Sequence, residues 1–216
     1  MRRLENGVTF DLYRFLEGGS RLRASAQSGI DLASFLRDVT DGGEATEVWV
    51  TGHSKGAALA TAVARWLSDT QGRPEQWDPN RLATVHCTTF AGPTAGNGAF
   101  ARGVDRALGD RLHRVANERD LVTLGWARDS LRDAPSIFAP AIAMPEVLAR
   151  LVEVVAGETS ALDYQQVDPQ AERFRGEIRS ADGGFLPEVS HQHLEAYIEH
   201  AGLSPWLKRE QLFGLS

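Results

Sequence analysis

The stretch EVWVTGHSKGAALATAVARWLSDT, residues 47–70, decides how this chain folds. Glu47 to Thr51 is a short β-branched and aromatic run that suits a buried strand. Residues 57–70 are rich in Ala and Leu, which favour helix. Between them lies Gly52-His53-Ser54-Lys55-Gly56, a G-x-S-x-G pattern. A strand that meets a helix through so short a turn leaves the serine on a sharp bend, and the glycines let strand and helix approach closely. The bend lifts the Ser54 hydroxyl clear of the sheet. It also aims the main-chain N–H of Lys55, at the positive end of the helix, where an oxyanion would develop. The plain alternative is an ordinary strand–helix turn with an unreactive serine.

Working outward, residues 7–15 suit a strand or a short helix, and Gly18-Gly19-Ser20 a turn. Ile30, Leu32, Phe35, Leu36 and Val39 recur at helical spacing, which predicts an amphipathic helix over 28–39. Residues 71–81 read as loop. Residues 82–90 read as a second buried strand, followed by a loop at 91–98 and a helix over 99–108. Residues 111–117 form a third strand. Residues 121–144 look irregular, and a helix follows over 145–155 with Pro145 in its first turn. A strand over 173–178 and a helix over 192–201, with Leu194, Tyr197 and Ile198 inward, complete the pattern. Strands alternating with helices predict an α/β fold with a mostly parallel sheet flanked by helices, taken as a single domain over 1–216.

Composition narrows the function. The 216 residues carry 23 Lys and Arg against 29 Asp and Glu, a net charge of −6. That balance disfavours nucleic-acid binding, which draws its affinity from basic side chains on phosphates. No apolar run approaches the roughly 20 residues of a membrane helix. Cys87 is the only cysteine, which excludes an internal disulfide and a multi-cysteine zinc site. Residues 1–20 lack the apolar core of a signal peptide, which leaves the compartment open.

A serine hydroxyl needs a base, and the base needs a carboxylate to orient it. On a strand–turn–helix nucleophile the chain order is serine, acid, histidine. Asp120, just past the third strand, and His193, late in the chain, satisfy that order with Ser54. Asp129, Asp133 and Asp163 are alternative acids farther from a strand end. His191 is the rival base. His86 and His113 fall within strands and read as packed core histidines, His200 as a surface residue, and His53 as a residue that shapes the bend. His191 and His193 lack the carboxylate or cysteine company of a metal site.

The segments VTGHSKGAALATAVARWL, TTFAGPTAGNGAF, HRVANERDLVTLGW and HQHLEAYI, in that order over about 48–200, resemble the class 3 lipases. These belong to the α/β-hydrolase group typified by fungal triacylglycerol lipases. The resemblance implies an α/β-hydrolase fold and a serine hydrolase acting on acyl-lipid esters, with no metal or cofactor. It places the nucleophile at Ser54, the acid at Asp120 and the base at His193, with His191 still the rival. It gives the 94–97 loop a structural part beside the site. The ammonium of Lys55 stands where an apolar residue is commoner.

One departure matters. The family carries an F-R-G-T-like loop upstream, whose hydroxyl residue supplies a second oxyanion donor, and residues 1–51 hold nothing that reads that way. The expectation is a chain lacking its N-terminal strands, with a weakened oxyanion hole. A non-catalytic, degenerate relative is the second reading, and an acyltransferase that passes the acyl group to an alcohol is the third. The apolar run 137–144 reads first as core and second as the wall of an acyl pocket.

Overall fold

A computed structural model of the chain describes residues 31–168, 171–179 and 183–203. The quoted stretch forms strand β1 (Thr46–His53), then helix α2 (Lys55–Thr70) directly after Ser54. Helix α1 (Leu32–Thr40) precedes them, capped by Asp31, whose Oδ1 accepts the Ser34 N–H at 2.8 Å. The expectations for 7–20 lie outside the described residues.

Strand β2 (Ala83–Phe90) lies parallel to β1 with Val48 opposite Val85. The two-residue β3 (Gly96–Asn97) leads into α3 (Gly98–Leu108), capped by Asn97. Strand β4 (Leu112–Asn117) pairs parallel with β2, and β6 (Glu172–Phe174) parallel with β4. The sheet order is therefore β1-β2-β4-β6. A separate antiparallel ribbon joins β3 to β5 (Tyr164–Gln165).

The main core lies between one sheet face and helices α2 and α3. Val63, Ala64 and Leu67 meet Val85, Cys87, Val104, Leu108 and Leu112 there, all buried. Burying each aliphatic side chain of this size contributes about 1.5–3 kcal/mol. Trp77 closes one end, fully buried, and its indole N–H donates to the Leu67 carbonyl at 3.0 Å. The period of two sends alternate residues of β4 to the other face, where Val115 packs with Ala91 and Tyr197. All the parallel strands present their carboxyl ends at one edge, and Ser54 and Asp120 both lie just past such ends.

The segment between β4 and β5 holds turns of 3₁₀-helix, the four-residue α4 (Arg128–Leu131) and α5 (Glu146–Thr159). Helix α5 runs four residues beyond the expected end, with Pro145 as its N-cap rather than inside its first turn. Within the apolar run 137–144, Phe138 and Ile142 are buried with Phe185, while Ala139, Pro140, Ala141 and Ala143 are exposed, so the core reading holds for part of that run.

Four expectations need correcting. The predicted helix at 192–201 is two helices, α6 (Phe185–His193) and α7 (Glu195–His200), hinged at Leu194. Gly183, Gly184 and Pro187 disguise α6 as a loop, yet proline in a first helical turn forfeits no hydrogen bond. Strand β6 is shorter than predicted because the chain leaves the sheet after Phe174, drawing the Gly176 N–H to Asn117 Oδ1 at 3.0 Å. His86 and His113 are not packed in the core. They lie on the sheet face away from α2, where His86 stacks on Trp49 at 4.2 Å and exposed His113 meets Glu172 at 2.9 Å. In α1 the buried stripe is Leu36 and Thr40, one turn apart, while Phe35 and Val39 are half exposed.

Candidate active site

Ser54 occupies the bend between β1 and α2 with φ 60° and ψ −127°. A non-glycine residue there carries strain of about 1–3 kcal/mol. The surroundings hold it in place: its N–H continues the ladder to the Phe90 carbonyl at 3.0 Å, and its carbonyl accepts the Ala57 N–H at 2.9 Å. Gly52 is required by close approach, since a Cβ there would sit 2.1 Å from the Gly56 carbonyl oxygen. Gly56 answers no such need, because a Cβ on it would meet nothing within 4 Å. Only the first of the two flanking glycines does the work expected of both.

Lys55 opens α2, so its N–H is one of the four first-turn donors that have no acceptor within the helix. Its side chain is exposed.

His193 ends α6. Its Nε2 is 2.8 Å from Ser54 Oγ, and its Nδ1 is 3.0 Å from both Oδ1 and Oδ2 of Asp120. With Nδ1 protonated toward the carboxylate, Nε2 is left to accept from the Ser54 hydroxyl. The three residues named from the sequence are therefore within hydrogen-bonding reach of one another. The rival His191 is buried on another side of α6, where its ring faces Glu195 at 3.4 Å and Glu199 at 4.0 Å. Asp129, Asp133 and Asp163 are exposed and are not among the carboxylates that meet His193.

Asp120 is fully buried. Its Oδ1 also accepts the Val122 N–H at 2.9 Å, and its Oδ2 accepts the Tyr197 hydroxyl at 3.0 Å. Tyr197 accepts in turn from the Asn117 N–H at 2.9 Å. Burial first, and the neighbouring Asp120 second, push the Tyr197 phenol well above its ordinary range, so it stays a donor. From the sequence Tyr197 reads only as an inward-facing residue. Local spacing does not mark its contact with Asp120, because His193 ends α6 while Tyr197 lies in α7, so the two share no helix face.

Asn117 ties the loop that carries Asp120 to α6, which ends in His193. Its Nδ2 donates to the Gln192 carbonyl at 2.9 Å and to Gln192 Oε1 at 2.7 Å. Its Oδ1 accepts the N–H groups of Arg119 and Gly176, both at 3.0 Å. Gln192, the residue before His193, is fully buried and donates to the Glu177 carbonyl and Glu188 Oε1. The 94–97 loop is braced from the side: Thr94 Oγ1 accepts the Trp126 N–H at 2.7 Å, and the Thr94 N–H donates to the Gly125 carbonyl at 2.6 Å.

Cys87 is buried in β2, and burial pushes its thiol up to about 12. Among the described residues no cluster of His, Cys, Asp and Glu is arranged to hold a metal ion, and no helix is long and apolar enough to cross a membrane.

Residues 13–127, more than half of the chain, match the sequence family described as Lipase (class 3). This protein belongs to the class 3 lipases. Phospholipase A1 EG1, chloroplastic/mitochondrial, of Oryza sativa subsp. indica is 39% identical over 93 residues, covering 43% of this chain and 20% of that protein. The secreted mono- and diacylglycerol lipase MDL2 of Malassezia globosa is 32% identical over 114 residues, covering 50% of this chain and 34% of that protein. The crystal structure of M37 lipase matches with a TM-score of 0.82 and 27% identity, covering 95% of this chain and 61% of that one. The chain thus spans a fifth to a third of those two curated relatives and about three fifths of the solved lipase. The parallel, helix-flanked sheet of this class 3 lipase is that of an α/β-hydrolase.

Proposed function

We propose that this class 3 lipase hydrolyses carboxylic esters of acyl lipids through an acyl-enzyme on Ser54. The observation that carries the reading is the unbroken hydrogen-bonded chain from Ser54 Oγ through the His193 ring to buried Asp120. His193 Nε2 takes the hydroxyl proton as Oγ attacks the ester carbonyl carbon. The tetrahedral oxyanion forms beside the Lys55 N–H at the head of α2. His193 then returns the proton to the departing alkoxide oxygen, and the acyl group remains on Ser54. Water, deprotonated by the same ring, adds to the acyl carbonyl, and collapse releases the fatty acid and restores the serine. Throughout, Asp120 fixes the ring's tautomer and stabilises its charged form.

Support for lipid esters over other esters comes from the relatives, named as a phospholipase A1 and a mono- and diacylglycerol lipase. The test is covalent labelling with a fluorophosphonate, alongside hydrolysis of p-nitrophenyl acyl esters. Wild type labels and turns over, and Ser54→Ala does neither. A folded wild type that fails at both is the degenerate relative instead.

A further inference from the structure

The residue before the nucleophile brings a second imidazole into the site. His53 ends β1, and its Nε2 lies 2.8 Å from the main-chain oxygen of His193. The two rings lie with their centroids 4.8 Å apart and their planes tilted by 51°, and Tyr197 meets the His53 ring in a T-shaped contact at 5.7 Å. A carbonyl oxygen only accepts, so this contact requires the proton of neutral His53 on Nε2. Nδ1 is then the atom left to gain a proton in acid. The contact also has a mechanical sense. His193 ends α6, and the last carbonyls of a helix take their donors from outside it. His53 supplies such a donor from the strand that carries the nucleophile, so one bond sets the spacing between base and serine.

We propose that His53 is a positioning residue, holding the base by its main-chain carbonyl, and that it must stay uncharged for His193 to accept the Ser54 proton. The proposal rests on the hydrolase reading above. During attack His193 becomes an imidazolium, and a second imidazolium at this separation would repel it. Burial first, and the facing His193 second, hold His53 below the usual histidine range, which keeps it neutral at neutral pH. The titratable groups that face it are His193 from α6, Tyr197 from α7 and Asp120 from the turn after β4. The hydrogen bond to the His193 carbonyl and the charge of Asp120 act in the opposite sense and are outweighed.

The experiment is the pH dependence of kcat/KM on a soluble short-chain p-nitrophenyl ester for wild type, His53→Gln and His53→Ala. Glutamine places an amide N–H near the position of Nε2 but does not titrate. The wild-type acid limb falls with a slope approaching two, one proton on each histidine, and that of His53→Gln with a slope of one. At pH 8 His53→Gln keeps kcat within a few-fold. His53→Ala, shown folded by near-UV circular dichroism, loses about 10²-fold in kcat with KM little changed, the scale of a misplaced reacting group. Superimposable acid limbs for wild type and His53→Gln overturn the proposal, and so does an unimpaired His53→Ala. If His53→Ala does not fold, the comparison of slopes decides. If wild type neither turns over nor labels, the hydrolase reading fails by itself, and ring-resonance NMR titration decides the His53 claim. A His193 titration that changes in His53→Gln supports it, and an unchanged one overturns it.

Discussion

The Tyr197 hydroxyl donates to Asp120 Oδ2 at 3.0 Å while accepting the Asn117 N–H at 2.9 Å. One buried oxygen thus joins Asp120, the end of β4 and α7, the helix that follows His193. Tyr197→Phe leaves a main-chain N–H unpaired and removes one donor from the carboxylate. An unsatisfied buried group costs about 1–3 kcal/mol. At about 2–4 °C per kcal/mol for a chain of this size, the melting temperature falls by several degrees. Loss of kcat by about 10-fold with KM little changed accompanies it, since the tyrosine acts through Asp120. Calorimetry with steady-state kinetics checks both.

The proposed relay predicts strong non-additivity. Ser54→Ala and His193→Ala each reduce kcat by several powers of ten, and the double variant is no worse than either alone. Asp120→Asn reverses the hydrogen bonding of Nδ1 and stabilises the wrong tautomer, with a loss of about 10⁴-fold. His191→Ala leaves kcat within a few-fold, because that ring faces Glu195 and Glu199 and is not directed to Ser54. Single-turnover kinetics with an activated ester separates these outcomes.

The two glycines of the bend respond oppositely. Gly52→Ala puts a methyl 2.1 Å from a main-chain oxygen that cannot move without unwinding the start of α2. The expected result is insoluble or strongly destabilised protein. Gly56→Ala meets no atom and lies inside α2, where alanine is favoured over glycine by about 1 kcal/mol. It raises the melting temperature by a few degrees. Thermal unfolding of the two variants tests the contrast.

Acid stability has a named contributor away from the site. Burial disfavours charge on Asp78, but the Gln71 amide and the main-chain N–H groups of Ala83, Leu82 and Arg81 outweigh it, holding the carboxyl below its ordinary 3.8. A carboxyl lowered in the folded state contributes stability in full above its unfolded value and loses it as pH falls through the folded one. Asp78→Asn is therefore less stable than wild type at pH 7, and the gap narrows below about pH 4. Urea unfolding at pH 7, 5 and 3 measures it.

Much of this protein is written locally. The strand expected at 47–51, the bend at Ser54 and helix α2 are legible because each rests on near neighbours: a β-branched run, a small residue at a tight contact, and an alanine-rich stretch, although β1 runs longer, Thr46–His53, and has half-buried and exposed positions rather than the buried ones expected. Strands β2 and β4 are legible for the same reason, and Asp120 follows from its place past a strand end. Helix α6 was not legible, because glycine and proline at its start imitate a turn.

The choice between His191 and His193 belonged to the tertiary structure. Both lie on α6, and at about 100° per residue two positions apart are turned roughly 200° around the axis. They point to nearly opposite sides, one to Ser54 and one to Glu195. The sequence alone set the order of serine, acid and histidine. Which imidazole reached the hydroxyl depended on how α6 was rotated, and that rotation is held by Asn117, Gln192 and Tyr197, side chains up to 80 positions apart that only the folded chain brings together.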